Sequence, residues 1–227
     1  MEIQDLVTPA RVAITVTVIV CVYTFYYTFK DNETRDGEHE LFIAALKKWS
    51  LVMGLIALIF THTSVFGLPG QYLPFGVVPG FILAFLSLKW KPAQAAFDSL
   101  NDSQIRLLSS FRIIFGAFLL AGAAFKLFPP IFAITAGLGD LLAGWLALSS
   151  VRSLNSVENK KWRWLVHGWG IADLFDVAVL GTFVVRPWLI EKQSLGPSML
   201  LPWMAVPLLL ALNLHGVRKL LSQPKDK

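Results

Sequence analysis

Two aspartates stand where a chain built for lipid should carry none. Asp140 is the centre of ITAGLGDLLAG (134–144), and Asp173 is the centre of HGWGIADLFDVAVLG (167–181), with Asp176 one helical turn further on. An acid at mid-bilayer costs about 2.5–3.5 kcal/mol on insertion scales, so such residues face a bundle interior and mark binding, proton transfer or a structural bond. If the two runs form adjacent antiparallel helices, Asp140 and Asp173 reach the same depth. Two carboxylates together in a low dielectric do not both ionise, so the pair would hold a proton or bind a cation. Asn213, in the last apolar run, is a further candidate member of such a proton or ligand site.

The glycines around the acids indicate what positions them. Ala133, Gly137, Asp140 and Gly144 recur at helical spacing, and Gly139 and Gly170 lie beside the acids. Small residues let membrane helices approach closely, so this stripe turns Asp140 toward a neighbouring helix. Ser50, Gly54, Ala57, Thr61 and Ser64 form a similar stripe. GLGDLL (137–142) and GIADLF (170–175) also echo one another on runs of opposite direction, as inverted repeats do in many transporters.

The rest of the chain supplies those helices. It has 227 residues, of which 55% are hydrophobic and 15% charged, against about 25% charged in soluble domains. Apolar blocks suited to crossing the hydrocarbon layer lie at about 12–29, 49–66, 73–88, 107–127, 130–149, 162–185 and 199–220. They predict an all-α fold, a single polytopic bundle of seven transmembrane helices spanning 1–227. Prolines 74, 79, 202 and 207 interrupt the third and seventh blocks, so those regions are expected to face protein or water.

The net charge of +5 is an orientation signal. Only Arg11, Lys126, Arg186 and Lys192 fall before the first block or in the even-numbered loops; the other 16 of the 20 Lys and Arg lie in the odd-numbered loops, the tail and their edges. Positive residues stay in the cytoplasm, which predicts an outer amino terminus and a cytoplasmic carboxyl terminus. The expected setting is a bacterial cytoplasmic membrane, with lipid, a membrane-protein partner or a second copy as neighbours and no nucleic acid. Trp49, Trp90, Trp162 and Trp164 are placed at inner interfaces and Tyr72, Trp188 and Trp203 at outer ones. Thr8 before Pro9 reads as a helix N-cap, and no cleavable signal follows. The stretches 30–40 and 91–104 read as solvated connectors, with His39 in the first, and Arg112 and Lys126 as snorkelling caps of the fourth helix. The lone Cys21 excludes an intrachain disulfide or CxxC pair.

Two resemblances bear on function. Gly137-Leu138-Gly139-Asp140 resembles the GxGD motif of intramembrane aspartyl proteases, which would make Asp140 and Asp173 (or Asp176) a water-activating pair. Here, however, the second acid follows the motif instead of preceding it, and the Pro-Ala-Leu element is missing, its nearest counterpart being Pro207-Leu208-Leu209. Arg112, Gly116, Gly122, Lys126-Leu127 and GLGDLLAGWLAL are similar, over 112–148, to the DoxX-like small bacterial membrane proteins. Those are four-helix units, some associated with oxidoreductase systems. The whole chain resembles uncharacterised bacterial seven-helix membrane proteins. His167 and His215 fall at matching depth in the last two helices, so a haem held between them is a further expectation. No His/Cys/carboxylate cluster suggests a metal site.

These readings leave three classes of function. The first is a proton-linked transporter or small-ligand-binding membrane protein using Asp140 and Asp173. The second is a non-catalytic accessory subunit of a redox or assembly complex. The third is an enzyme.

Overall fold

The structure, a computed structural model, describes residues 3–30, 37–62, 73–126, 128–151, 159–187 and 201–222. Every regular element among them is helical: α1 (Ile3–Lys30), α2 (Gly37–His62), α3 (Leu73–Ser87), α4 (Lys91–Ser99), α5 (Asp102–Ser110), α6 (Arg112–Ala124), α7 (Pro130–Val151), α8 (Asn159–Leu180) and α9 (Val206–Ser222). A π-helical turn at Gly181–Val185 continues α8, and another at Leu201–Ala205 leads into α9. Among the described residues four segments are long and apolar enough to cross a bilayer: 102–124, 130–149, 161–185 and 201–222. Helix α3 has a shorter apolar stretch at 77–87.

Burial departs from that of a water-soluble protein at both extremes. Arg106, Arg112, Asp140, His167, Asp173, Asn213 and His215 are buried, while Tyr23, Leu51, Ile131 and Phe183 stand on outer faces with more than half of their surface exposed. Large apolar residues facing outward and ionisable ones facing inward are the pattern of a membrane-embedded bundle.

Glycines set the helix crossings at the centre. A Cβ on Gly116 would lie 2.6 Å from Gly137 O and 2.7 Å from Leu141 N. One on Gly144 would lie 2.7 Å from the backbone nitrogen of Ile113, so α6 and α7 meet backbone to backbone. Gly80 of α3 receives the ring of Pro207, which buries a proline interruption against protein as its sequence implied. Gly54 has nothing within 4 Å of where its Cβ would be, so the α2 stripe makes no close approach there.

Several expectations are corrected. Helix α1 already runs from Ile3, so Thr8 is not its N-cap and Pro9 lies inside it. The stretch 91–104 is a docked corner. Asn101 and Gln104 form a capping box that starts α5, with each side chain bonded to the other's backbone nitrogen at 2.9 Å. In the preceding α4, Phe97 packs edge-on to Phe29 and Phe42, with ring centroids at 5.1 and 5.7 Å. Arg163 pairs with Asp102 and Arg218 with Asp98, which ties the corner to α8 and α9. Buried apolar residues and reciprocal caps make helices here in place of solvated chain. His39 belongs to α2, and its Nε2 lies 2.7 Å from Phe29 O. Residues 31–36 lie outside the described residues, as do Tyr72 and Trp188. Trp203 is a core residue, 4% exposed, and not an interfacial anchor.

Candidate functional site

The centre of the bundle is a three-residue charge cluster. The capping box starts the fourth apolar path at Asp102, five residues earlier than the block read from the sequence, so it runs from α5 through Phe111 into α6. Arg112 therefore follows the nine residues of α5 and Phe111, and Asp140 lies ten residues (140 − 130) into α7. At about 1.5 Å per residue both lie some 15 Å along paths of similar length. Arg112 does not snorkel. It is 1% exposed, and its Nε donates to Asp140 Oδ1 at 2.6 Å while its Nη2 donates to Asp173 Oδ2. Its Nη1 donates to Gly170 O at 3.0 Å. A planar guanidinium offers diverging donors, which lets one side chain join α6, α7 and α8.

Glycines again make the room. A Cβ on Gly139 would overlap the Asp173 carboxylate, and one on Gly170 would lie 2.7 Å from Asn213 Oδ1. Gly137 and Gly144 serve the α6 crossing. Trp169 Nε1 donates to Gly139 O at 3.4 Å, beside the same crossing. The structure thus brings together Asp140 and Asp173, with their flanking glycines. Asp176 stays outside the cluster on an exposed face of α8.

Asn213 and His167 form a second polar layer. Asn213 Nδ2 donates to Leu209 O at 2.7 Å, which leaves its Oδ1 to accept from His167 Nδ1 at 3.2 Å. The His167 ring occupies the space beside Gly216 where a Cβ would be. His215 serves a different contact: its Nε2 lies 3.0 Å from Ser87 Oγ, and its ring stacks on Phe97 with centroids at 4.1 Å. The two imidazoles thus engage different partners. Among the described residues no His/Cys/carboxylate group is arranged to hold a metal.

A cavity of about 70 Å³ ends on the cluster. Phe115, Leu119, Phe132, Leu174 and Leu209 line it, and Asp140 is the ionisable residue in its wall. Asp140 keeps 9% of its side chain exposed where Arg112 keeps 1%, so the carboxylate is shared between guanidinium and cavity. Gly181, Thr182 and Val185 of one π-helical turn and Leu201 and Pro202 of the other also line this space. Single π turns inside helices are frequent at functional sites. A groove of about 470 Å³ between α3 and α8 shares Val77, Ala178 and Thr182 with the cavity. Phe175 borders that groove, packed edge-on to Phe81 at 5.6 Å.

A family model described as "Domain of unknown function (DUF8737)" matches residues 70–221, which is 152 of the 227. The chain belongs to the DUF8737 family. The DUF8737 region takes in α3 to α9 and so every member of the cluster, of the Asn213–His167 layer and of the cavity wall. Helices α1 and α2 precede the matched residues. Neither the curated proteins nor the solved structures give a match.

The residue that sequence reasoning missed is Arg112. Its true depth was signalled by Asn101-Asp102-Ser103-Gln104, a capping-box pattern that starts the helix before the apolar block begins. The GxGD reading gains no support from the geometry, because a proteolytic pair must face one shared water and these two acids are both engaged by one guanidinium.

Proposed function

We propose that the chain is a seven-helix protein of a bacterial cytoplasmic membrane, with its carboxyl terminus in the cytoplasm. It binds a small lipophilic molecule carrying a cationic or hydrogen-bond-donating end and couples that binding to a proton. The observation that carries the reading is the Asp140 carboxylate, held by Arg112 on one side and open to an apolar cavity on the other. With both acids ionised, the cluster has two negative charges and one positive. One proton, or one bound cation, makes it neutral, and neutrality is strongly favoured in a low dielectric.

The volumes indicate how such a molecule would lie. A cavity of about 70 Å³ is about half the ~150 Å³ that admits benzene in an engineered core. It suits the polar end of a ligand, while the body would lie in the groove of about 470 Å³ that shares Thr182 and Ala178 with the cavity. Entry is then lateral, from the bilayer between α3 and α8. A lipophilic solute concentrated in the membrane would reach Asp140 without crossing water.

Decylamine is a suitable probe, joining an ammonium to a single chain. Native mass spectrometry of the full chain released from lipid nanodiscs should retain decylamine on the wild type and lose it from Asp140→Asn. Thr182→Trp, at the junction of cavity and groove, should lose it as well. Decyl sulfate should not be retained. Equal retention of decylamine by the wild type and Asp140→Asn would refute the reading.

A second reading, the accessory subunit, is favoured by one observation: all three Arg112 nitrogens already have partners within the chain. On that reading the cluster clamps α6, α7 and α8. Asp140→Asn and Asp173→Asn would then leave cellular activity unchanged, while Asp→Leu at either site prevents folding.

A further inference from the structure

We propose that the groove between α2 and α3 is a binding site for an anionic phospholipid, separate from the Asp140 cavity. The groove has a volume of about 710 Å³. Leu46 and Trp49 of α2 form one wall, Gly80, Leu83 and Ala84 of α3 the other, and Pro207 and Ala211 of α9 lie between them. Its walls are almost wholly apolar from Gly80 to Ala84, and charge enters only at the end where α3 stops.

That end is basic and aromatic. Lys89 and Trp90 line it, and Lys89 is the charged residue of the lining. Lys91 follows Trp90, and Lys47 and Lys48 lie further along α2 beside Trp49. All four lysines are exposed, and none forms an ion pair with a described acid. The nearby Asp98 is taken by Arg218. An apolar slot that ends at Trp90 and the unneutralised Lys89 matches one molecule in its order of parts. An acyl chain would lie along Leu83 and Ala84 toward Trp49, with the glycerol at Trp90 and the phosphate at Lys89. Basic pockets between helices at the cytoplasmic surface bind anionic headgroups by this logic, and tryptophans settle at headgroup level.

A functional consequence follows from the α9 residues. Pro207 and Ala211 of the groove share their helix with Leu209 of the Asp140 cavity. Ser87, which also lines the groove, contacts His215 of α9. A lipid seated here would brace the helix that forms part of the cavity wall.

The inference rests on the membrane-spanning reading, which alkaline extraction of membranes tests separately, and it does not depend on any ligand at Asp140. The full chain would be placed in nanodiscs containing equal phosphatidylglycerol and phosphatidylcholine, and the lipids retained after mild release counted by native mass spectrometry. Wild type should keep phosphatidylglycerol preferentially. Lys89→Gln should lower that preference roughly fivefold, the equivalent of about 1 kcal/mol for one lysine near an anionic surface. Ala45→Phe, which fills the groove from its α2 wall, should lower retention of both lipids. Lys161→Gln, on an exposed part of α8 at the same membrane face, should change nothing. Equal retention of the two lipids by the wild type would overturn the proposal, as would a preference unaltered by both groove variants. A dimer that Ala45→Phe dissociates would assign the groove to a second copy and overturn it too.

Discussion

Replacing Arg112 by methionine is the most demanding test of the central cluster. The substitution keeps the unbranched apolar stem of the side chain and removes the guanidinium, with one positive charge and three hydrogen bonds, to Asp140, Asp173 and Gly170. Two buried acids, each 6% exposed, are left facing each other. Removing one member of a buried ion pair costs about 3–5 kcal/mol, because the remaining charge is uncompensated. For a chain of this size, a loss of that order lowers Tm by roughly 6–20 °C. Single Asp140→Asn or Asp173→Asn should behave otherwise. Each leaves Arg112 paired with one carboxylate in a neutral cluster, and the amide oxygen can still accept a hydrogen bond. A cost of about 1 kcal/mol, one ordinary hydrogen bond, is expected. The double Asp→Asn variant strands the arginine and should again lose about 3–5 kcal/mol. The assay is thermal unfolding of purified protein in a mild detergent, followed by size-exclusion chromatography of the heated samples. The expected order of stability is wild type, either single Asn variant, then Arg112→Met and the double variant together at the bottom. An Arg112→Met protein with wild-type Tm would refute the cluster as drawn. So would single Asn variants as unstable as Arg112→Met.

The helix crossings and the topology give two further expectations. Gly116→Ala forces a Cβ to within 2.6 Å of Gly137 O and 2.7 Å of Leu141 N, both backbone atoms, so a loss of about 1–3 kcal/mol is expected from overpacking. Gly168→Ala, with nothing within 4 Å, should be neutral or gain up to about 1 kcal/mol of helix propensity; equal Tm shifts for the two variants would contradict the crossing. A phosphatase reporter fused after Lys227 should be inactive, and a fluorescent protein there should glow, both as expected of a cytoplasmic carboxyl terminus; the opposite pair of results would overturn the odd number of spans.

The legible part of this protein is what one helix can say by itself. Period and length mark the apolar helices, because each must satisfy its backbone internally wherever water is absent. The run around Asp140 also declared its buried side: Ala133, Gly137, Asp140 and Gly144 lie on one stripe, and all four are buried. Equal depth for Asp140 and Asp173 followed from counting residues along antiparallel helices. Counting failed where a boundary was set by polar residues. Asp102, Ser103, Gln104 and Arg106 read as loop on hydropathy alone, yet a capping box and the burial of Ile105 and Leu108 fold them into the helix. That shift of five residues moves Arg112 from the membrane edge to its centre.

Sequence alone therefore determined the class of the protein, its long apolar helices and the presence of two deep acids, since these depend on local hydropathy and spacing. Tertiary structure decided what the acids are for each other. Three helices had to converge, with glycine at 116, 137, 139 and 144 permitting the approach, before one guanidinium 28 and 61 residues away in sequence could hold both carboxylates. Helix packing likewise decided that His167 and His215, close in depth, address different neighbours. Depth is a property of position along one helix. Partnership depends on the rotation of each helix about its axis, which only packing fixes.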